Sequence, residues 1–154
     1  PCRHRGIKTE GVMRAFPKML IAVAVYNILI FGGSGLGHQA TDLLAQNFPV
    51  TVFSGDVWKV SLGDGLVALA LLLLFIEIIK ATRTSRRELL NHAFSTLTLM
   101  AALAEFVVMK GFGTSTFFLI TLMCLFDVVA GYTVSIVTAR RDVTVVPSQV
   151  EPVE

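Results

Sequence analysis

Four long apolar runs constrain this chain more than any other feature. They read "LIAVAVYNILIF", "LVALALLLLFIEII", "LTLMAALAEFVVM" and "FFLITLMCLFDVVAG". A helix of roughly 20 apolar residues crosses about 30 Å of hydrocarbon, and the runs predict such spans at Lys18–Gly33, Val57–Lys80, Leu89–Met109 and Thr114–Ala139. A soluble domain of 154 residues would need enough polar surface to cover all four, yet the chain is 54% hydrophobic and 16% charged, with mean hydropathy +0.72. The expected fold is an all-α integral membrane protein, four transmembrane helices in an up-down antiparallel bundle. The links "ATRTSRRE" and "KGFG" leave room only for tight antiparallel hairpins.

Direction follows from the basic residues, because Lys and Arg near span ends stay on the cytoplasmic side. Arg3, Arg5, Lys8, Arg14 and Lys18 precede the first span, Lys80, Arg83, Arg86 and Arg87 follow the second, and Arg140 and Arg141 follow the fourth. That places eleven of the thirteen Lys and Arg on one side, with Lys59 and Lys110 on the other. Both termini are therefore expected in the cytoplasm: a leader at 1–17, a transmembrane domain at 18–139 and a tail at 140–154. The stretch "MRAFPKMLIAVAVYNILIF" also has the form of a secretory signal, a basic region followed by a short apolar one; an uncut anchor is the expectation taken here.

The outer loop, 34–56, contains "DLLAQNFPVTVFSGD". Its apolar and aromatic residues predict a segment lying at the membrane surface, with a short helix of about two turns broken by Pro49. Asp56 is expected to cap the second span. The tail "DVTVVPSQVEPVE" has two prolines and no helical period.

An acid at the centre of a span costs about 2.5 to 3.5 kcal/mol on insertion scales, so each one calls for a partner or a purpose. Asp64 and Glu77 fall in the second span, Glu105 in the third, and Asp127 near the middle of the fourth. At 100° per residue, Asp64 and Glu77 lie about 140° apart around their helix. Glu77 is also close enough to the inner end to snorkel beside Lys80 and Arg83. On the third span Asn91, Thr98, Ala101, Ala102 and Glu105 form a small, polar side, with His92 pointing elsewhere. On the fourth, Thr116, Ile120, Cys124, Asp127, Gly131, Ser135 and Thr138 recur at helical spacing, opposite Phe117, Leu119, Leu122, Phe126 and Val129. Asp127 is thus expected to face protein. It would be protonated and donate a hydrogen bond, with Asn27 of the first span as candidate acceptor. The bland account of Thr116, Cys124, Gly131, Ser135 and Thr138 is helix packing: small residues let backbones approach, and hydroxyls bond across helices.

Cofactor, metal and enzyme chemistry find no footing. Paired haem ligands would need two histidines at depth, whereas only His92 is in a span. Cys2 and Cys124 form no cluster, no Ser/His/Asp or Cys/His arrangement is visible, and no feature points to nucleic acid. "GGSGLGH" lacks the Lys-Ser/Thr of a phosphate loop. Small multidrug exporters also have four short helices, but they carry their essential acid in the first span, and Lys18–Gly33 has none. The Arg- and Glu-rich second-helix signature of trimeric glutathione-using membrane enzymes is likewise missing from "SLGDGLVALALLLLFIEIIKATRT".

The runs "SGDVWKVSLGDGLVALALLLLFIEIIKATRT" and "STFFLITLMCLFDVVAGYTVSIVTARRD" resemble a group of uncharacterised small four-helix inner-membrane proteins of alphaproteobacteria. The likeness covers about Ser54–Asp142. It implies a bacterial inner-membrane location and carries no known activity.

Two functions are compatible with these residues. The leading expectation is a non-enzymatic accessory or assembly subunit, surrounded by lipid and packed against other membrane subunits or a second copy of itself. The alternative is a small proton- or cation-coupled carrier, with Asp127 as the central site, Asp64 and Glu105 as an outer entrance and Glu77 as an inner exit. A third possibility, quinone or lipid binding at the aromatic outer loop, rests on composition alone.

Overall fold

In the computed structural model, residues 17–81 and 88–144 are described, those at 81, 88–91 and 138–144 by backbone only. The elements run α1 (Met19–Gly35), α2 (Ala40–Leu44), β1 (Asn47–Thr51), β2 (Val57–Ser61), α3 (Leu62–Ala81), α4 (Glu88–Val108) and α5 (Ser115–Thr144). The fold is mostly helical. The expectations for the leader, for the loop at 82–87, for the tail beyond 144 and for the side chains of Asn91 and Thr138 lie outside the described residues.

Two helices, Leu62–Lys80 and Ser115–Val137, are long and apolar enough to cross a membrane. Only 28% and 33% of these stretches are buried inside the chain, whereas the central helix of a soluble domain would be mostly enclosed. Residues such as Leu72, Phe75, Phe118 and Phe126 point outward. At 1.5 Å per residue, α3 spans about 30 Å, α4 about 32 Å, and α1 only about 26 Å; α1 runs through "GGSG", past the expected end at Gly33, and stops before Gly37 at φ +84°.

The helices alternate in direction. The start of α1 meets the end of α3, where the Lys18 amide donates to Glu77 Oε2 at 3.4 Å. The end of α4 lies beside the start of α5, where Phe106 and Phe118 face each other. Sequence neighbours are not always neighbours in space, however. α5 packs along both α3 and α4, and α1 closes the group, while α3 and α4 hardly touch among the described residues. The expected hairpin between the two middle spans is therefore not a packed pair; α5 separates them.

Three further expectations are corrected. The chain is not all-α, because Val57–Ser61 is a strand paired with Asn47–Thr51. Period-two alternation of Phe48, Val50 and Val52, then of Trp58 and Val60, explains this ribbon, and Gly55, at φ +90°, supplies the left-handed turn residue that a side chain would strain. Pro49 breaks no helix: in a two-stranded ribbon a strand has one unpaired edge, where a missing N–H costs nothing. The helix before it is the five-residue α2. The third correction is at α3, which begins at Leu62 and is capped by Ser61 and Asp64 rather than by Asp56. Ser61 N–H donates to Asp64 Oδ2 at 2.9 Å and Asp64 N–H to Ser61 Oγ at 3.0 Å, a reciprocal capping box. Asp56 instead accepts from the Ser54 hydroxyl in the hairpin turn. At the other end of the chain, α5 outruns the expected boundary at Ala139 and continues to Thr144, since nothing in "TARRDVT" breaks a helix.

Candidate functional site

α5 presents Thr116, Ile120, Cys124, Asp127, Gly131 and Ser135 toward the other helices: Ile120 and Cys124 are fully enclosed, Asp127 is 5% exposed, and Thr116 and Ser135 are half-buried. This stripe packs inside the chain's own bundle. Thr116 lies against Gly63 of α3. Gly131 lies against His92 of α4 so closely that any side chain in its place would collide with the imidazole. The cross-helix hydroxyl bonds expected of such a stripe are few. Thr96, Thr98, Thr121 and Thr133 all donate to the carbonyl four residues earlier in their own helix. Ser135 reaches across, 3.0 Å from His92 Nε2.

Around Asp127 gather the buried polar groups of three helices. Glu77 of α3 is 1% exposed, and His92 and Ser95 of α4 are 3% and 2% exposed. Glu77, His92 and Lys80 are close enough to act on the charge of Asp127. Glu77 is not snorkelled into solvent. It accepts from the amide of Lys18 and from Lys80 Nζ, both at 3.4 Å, so its charge offsets the positive end of α1 and meets one cation. Ser95 lies beside Asp127, yet Ser95 Oγ and Asp127 Oδ2 have no hydrogen-bond partner of regular geometry among the described residues. A buried polar atom left so costs about 1 to 3 kcal/mol and calls for an explanation.

The opposite half of the bundle, called outer after the direction expected from the basic residues, is built differently. Tyr26 is fully buried among Phe112 and Phe117, with ring centroids 5.4 and 4.5 Å away. Its hydroxyl lies 3.1 Å from the Gly111 carbonyl and 2.6 Å from Thr114 Oγ1, while Thr114 Oγ1 accepts from the Phe117 amide at the start of α5. One consistent chain satisfies every group: Phe117 N–H to Thr114, Thr114 O–H to Tyr26, Tyr26 O–H to Gly111. Beside it, Asn27 Nδ2 donates to Glu105 Oε2 and to the Val23 carbonyl, both at 3.0 Å. Asn27 is thus the partner of Glu105, not of Asp127. At the mouth of this half a cleft of about 690 Å³ opens between α1, α2 and the α4–α5 turn, lined by Phe31, His38, Phe106 and Lys110 among others.

The five acids and amides singled out in the sequence therefore separate. Asp127 and Glu77 come together, Glu105 and Asn27 pair elsewhere, and Asp64 is an exposed helix cap. His92 and Ser95 belong to the site, although the sequence reading set His92 aside. Their signal was weak but present: His92, Ser95, Leu99 and Ala102 lie on one helical face, and all are buried. No three His, Cys, Asp or Glu side chains converge as a metal site among the described residues. No protein-family model matches the sequence, and neither a curated protein nor a solved structure is significantly similar to it.

Proposed function

We propose that this is a four-span protein of a bacterial inner membrane, with both termini cytoplasmic, that takes up and releases a proton at Asp127 from the inner side. The observation carrying this reading is the buried carboxyl of Asp127, with Ser95 as its neighbour and Glu77 and His92 within electrostatic reach. An acid held in that way is a costly means of joining helices, and the neighbouring carboxylate and imidazole can each accept a proton. Glu77, tied to Lys80 at the inner end of α3, is the exit in this scheme. The outer entrance assigned to Asp64 and Glu105 receives no support, since one caps α3 and the other is held by Asn27. Carriage across the whole membrane is part of this reading and takes place when the Tyr26 closure opens.

The test is pH-dependent proton flux in vesicles reconstituted with the wild type and with Asp127→Asn. Flux is expected in the first and lost in the second; equal flux in both sinks the reading.

A second reading, the accessory subunit without enzymatic chemistry, is favoured by one feature of α3. Gly65 and Ala68 are exposed one turn apart, and nothing lies within 4 Å of where a Cβ on Gly65 would stand. Small residues on an outward face let another helix approach. Purification from the native membrane in mild detergent should then bring a second membrane protein with it, and recovery only as a free monomer would count against this role.

A further inference from the structure

The hairpin between α2 and α3 segregates its side chains. In the register Phe48↔Val60 and Val50↔Trp58, four apolar residues share one face. Asn47↔Ser61, Pro49↔Lys59 and Thr51↔Val57 share the other, which holds the polar groups and the strands' charge. Such alternation normally marks a ribbon with its apolar side on a core. Here Phe48, Val50 and Trp58 are 61%, 47% and 59% exposed, so the bundle does not cover that side.

We propose that the apolar face of this hairpin docks on the lipid surface at the outer boundary of the membrane, holding Trp58 at headgroup depth. Three features select lipid as the occupant. β2 passes into α3 at Ser61–Leu62 with no intervening residue, so the face starts where the second apolar helix begins. α3 itself turns large apolar side chains outward at Leu69, Leu72 and Phe75, so the hairpin is joined to a helix whose exposed side also suits lipid. Lys59, the charge within the strands, points to the opposite side of the ribbon, as it must if one side is wet and the other is not. Trp at a membrane boundary places an apolar ring among acyl chains while keeping its N–H in the hydrated zone. Standing upright, the strand would carry Trp58 about 13 Å beyond the helix start, clear of the interface; lying flat, it stays within it. The inference rests on α3 spanning the membrane.

Trp58 is the only tryptophan in the chain, so its fluorescence reports on the hairpin without labelling. The full chain is reconstituted in phosphatidylcholine vesicles whose acyl chains carry bromine near either the carbonyl or the methyl end. Shallow bromine is expected to quench Trp58 about twofold more than deep bromine, with external iodide a weak quencher. A second protein, Trp58→Phe with Lys59→Trp, places the reporter one residue along on the other face. It is expected to reverse the pattern, with strong iodide and weak bromine quenching. Strong iodide quenching at position 58 would show the face in water, and resistance to both quenchers would show it covered by protein; either overturns the proposal, as does equal quenching at the two positions. Alkaline carbonate extraction of the same vesicles separates the two readings. A chain retained in the membrane with Trp58 unquenched by bromine defeats the docking alone, and a chain released into the wash defeats the span as well.

Discussion

The two halves of the bundle use polar groups in opposite ways. In the outer half the polar side chains around Tyr26 are partnered: Tyr26, Thr114 and the Phe117 amide form one closed chain of donors and acceptors, and Asn27 holds Glu105. In the inner half, Asp127 and Ser95 are enclosed with atoms unsatisfied. Tyr26 and Asp127 are both buried, but only Tyr26 has its polar atom in regular hydrogen bonds, which marks the first region as organised for stability and the second as holding a group that stability alone does not require.

Four experiments, ordered by expected effect on unfolding in detergent, can break or sharpen that contrast. Tyr26→Ala should be the most damaging, about 3 to 5 kcal/mol, because it empties the aromatic plug and strands Thr114; a loss below about 1 kcal/mol would mean the outer half is not the stabilising one. Gly131→Ala should cost about 1 to 3 kcal/mol, since a methyl group must displace the His92 ring and its contact with Ser135. The coupling between Asn27→Ala and Glu105→Gln, measured as a double-mutant cycle, should be about 0.6 to 2 kcal/mol. Asp127→Asn should be the mildest, within about 1 kcal/mol of wild type, because it removes a buried acid while keeping its shape. If Asp127→Asn were instead as damaging as Tyr26→Ala, the inner cluster would be a structural network and the contrast would vanish.

How much of this could be read from the residues depended on how local each cause was. The long apolar helices announce themselves, because hydropathy over 20 positions is a property of one segment. The inward face of α5 was legible in part for the same reason: Thr116, Cys124, Asp127, Gly131 and Ser135 repeat within a single helix, whereas Phe117, expected on the opposite side, is fully buried against Tyr26. The hairpin's alternation and the Ser61-x-x-Asp64 cap were also local, but hydropathy merged the strand Val57–Ser61 with the helix after it, since Val and Trp score as apolar in either conformation. What no segment contains is which helices meet. Asn27 and Glu105 are 78 positions apart, and α3 and α4, adjacent in sequence, are kept apart by α5. The meeting of His92 with Gly131 depends on that arrangement, so a histidine that looked peripheral on its own helix became part of the site.

The position of α5 bears on how the protein is made. It leaves the ribosome after α3 and α4, yet it is the one on which both of them pack. Until it arrives, those two have little surface for each other, and Glu77, His92 and Ser95 must wait without the segment that encloses them. Assembly of these helices is thereby deferred until α5 has been made. A chain cut short before Ser115 would leave half-formed polar surfaces in the bilayer, the kind of feature by which membrane quality control recognises an unfinished protein.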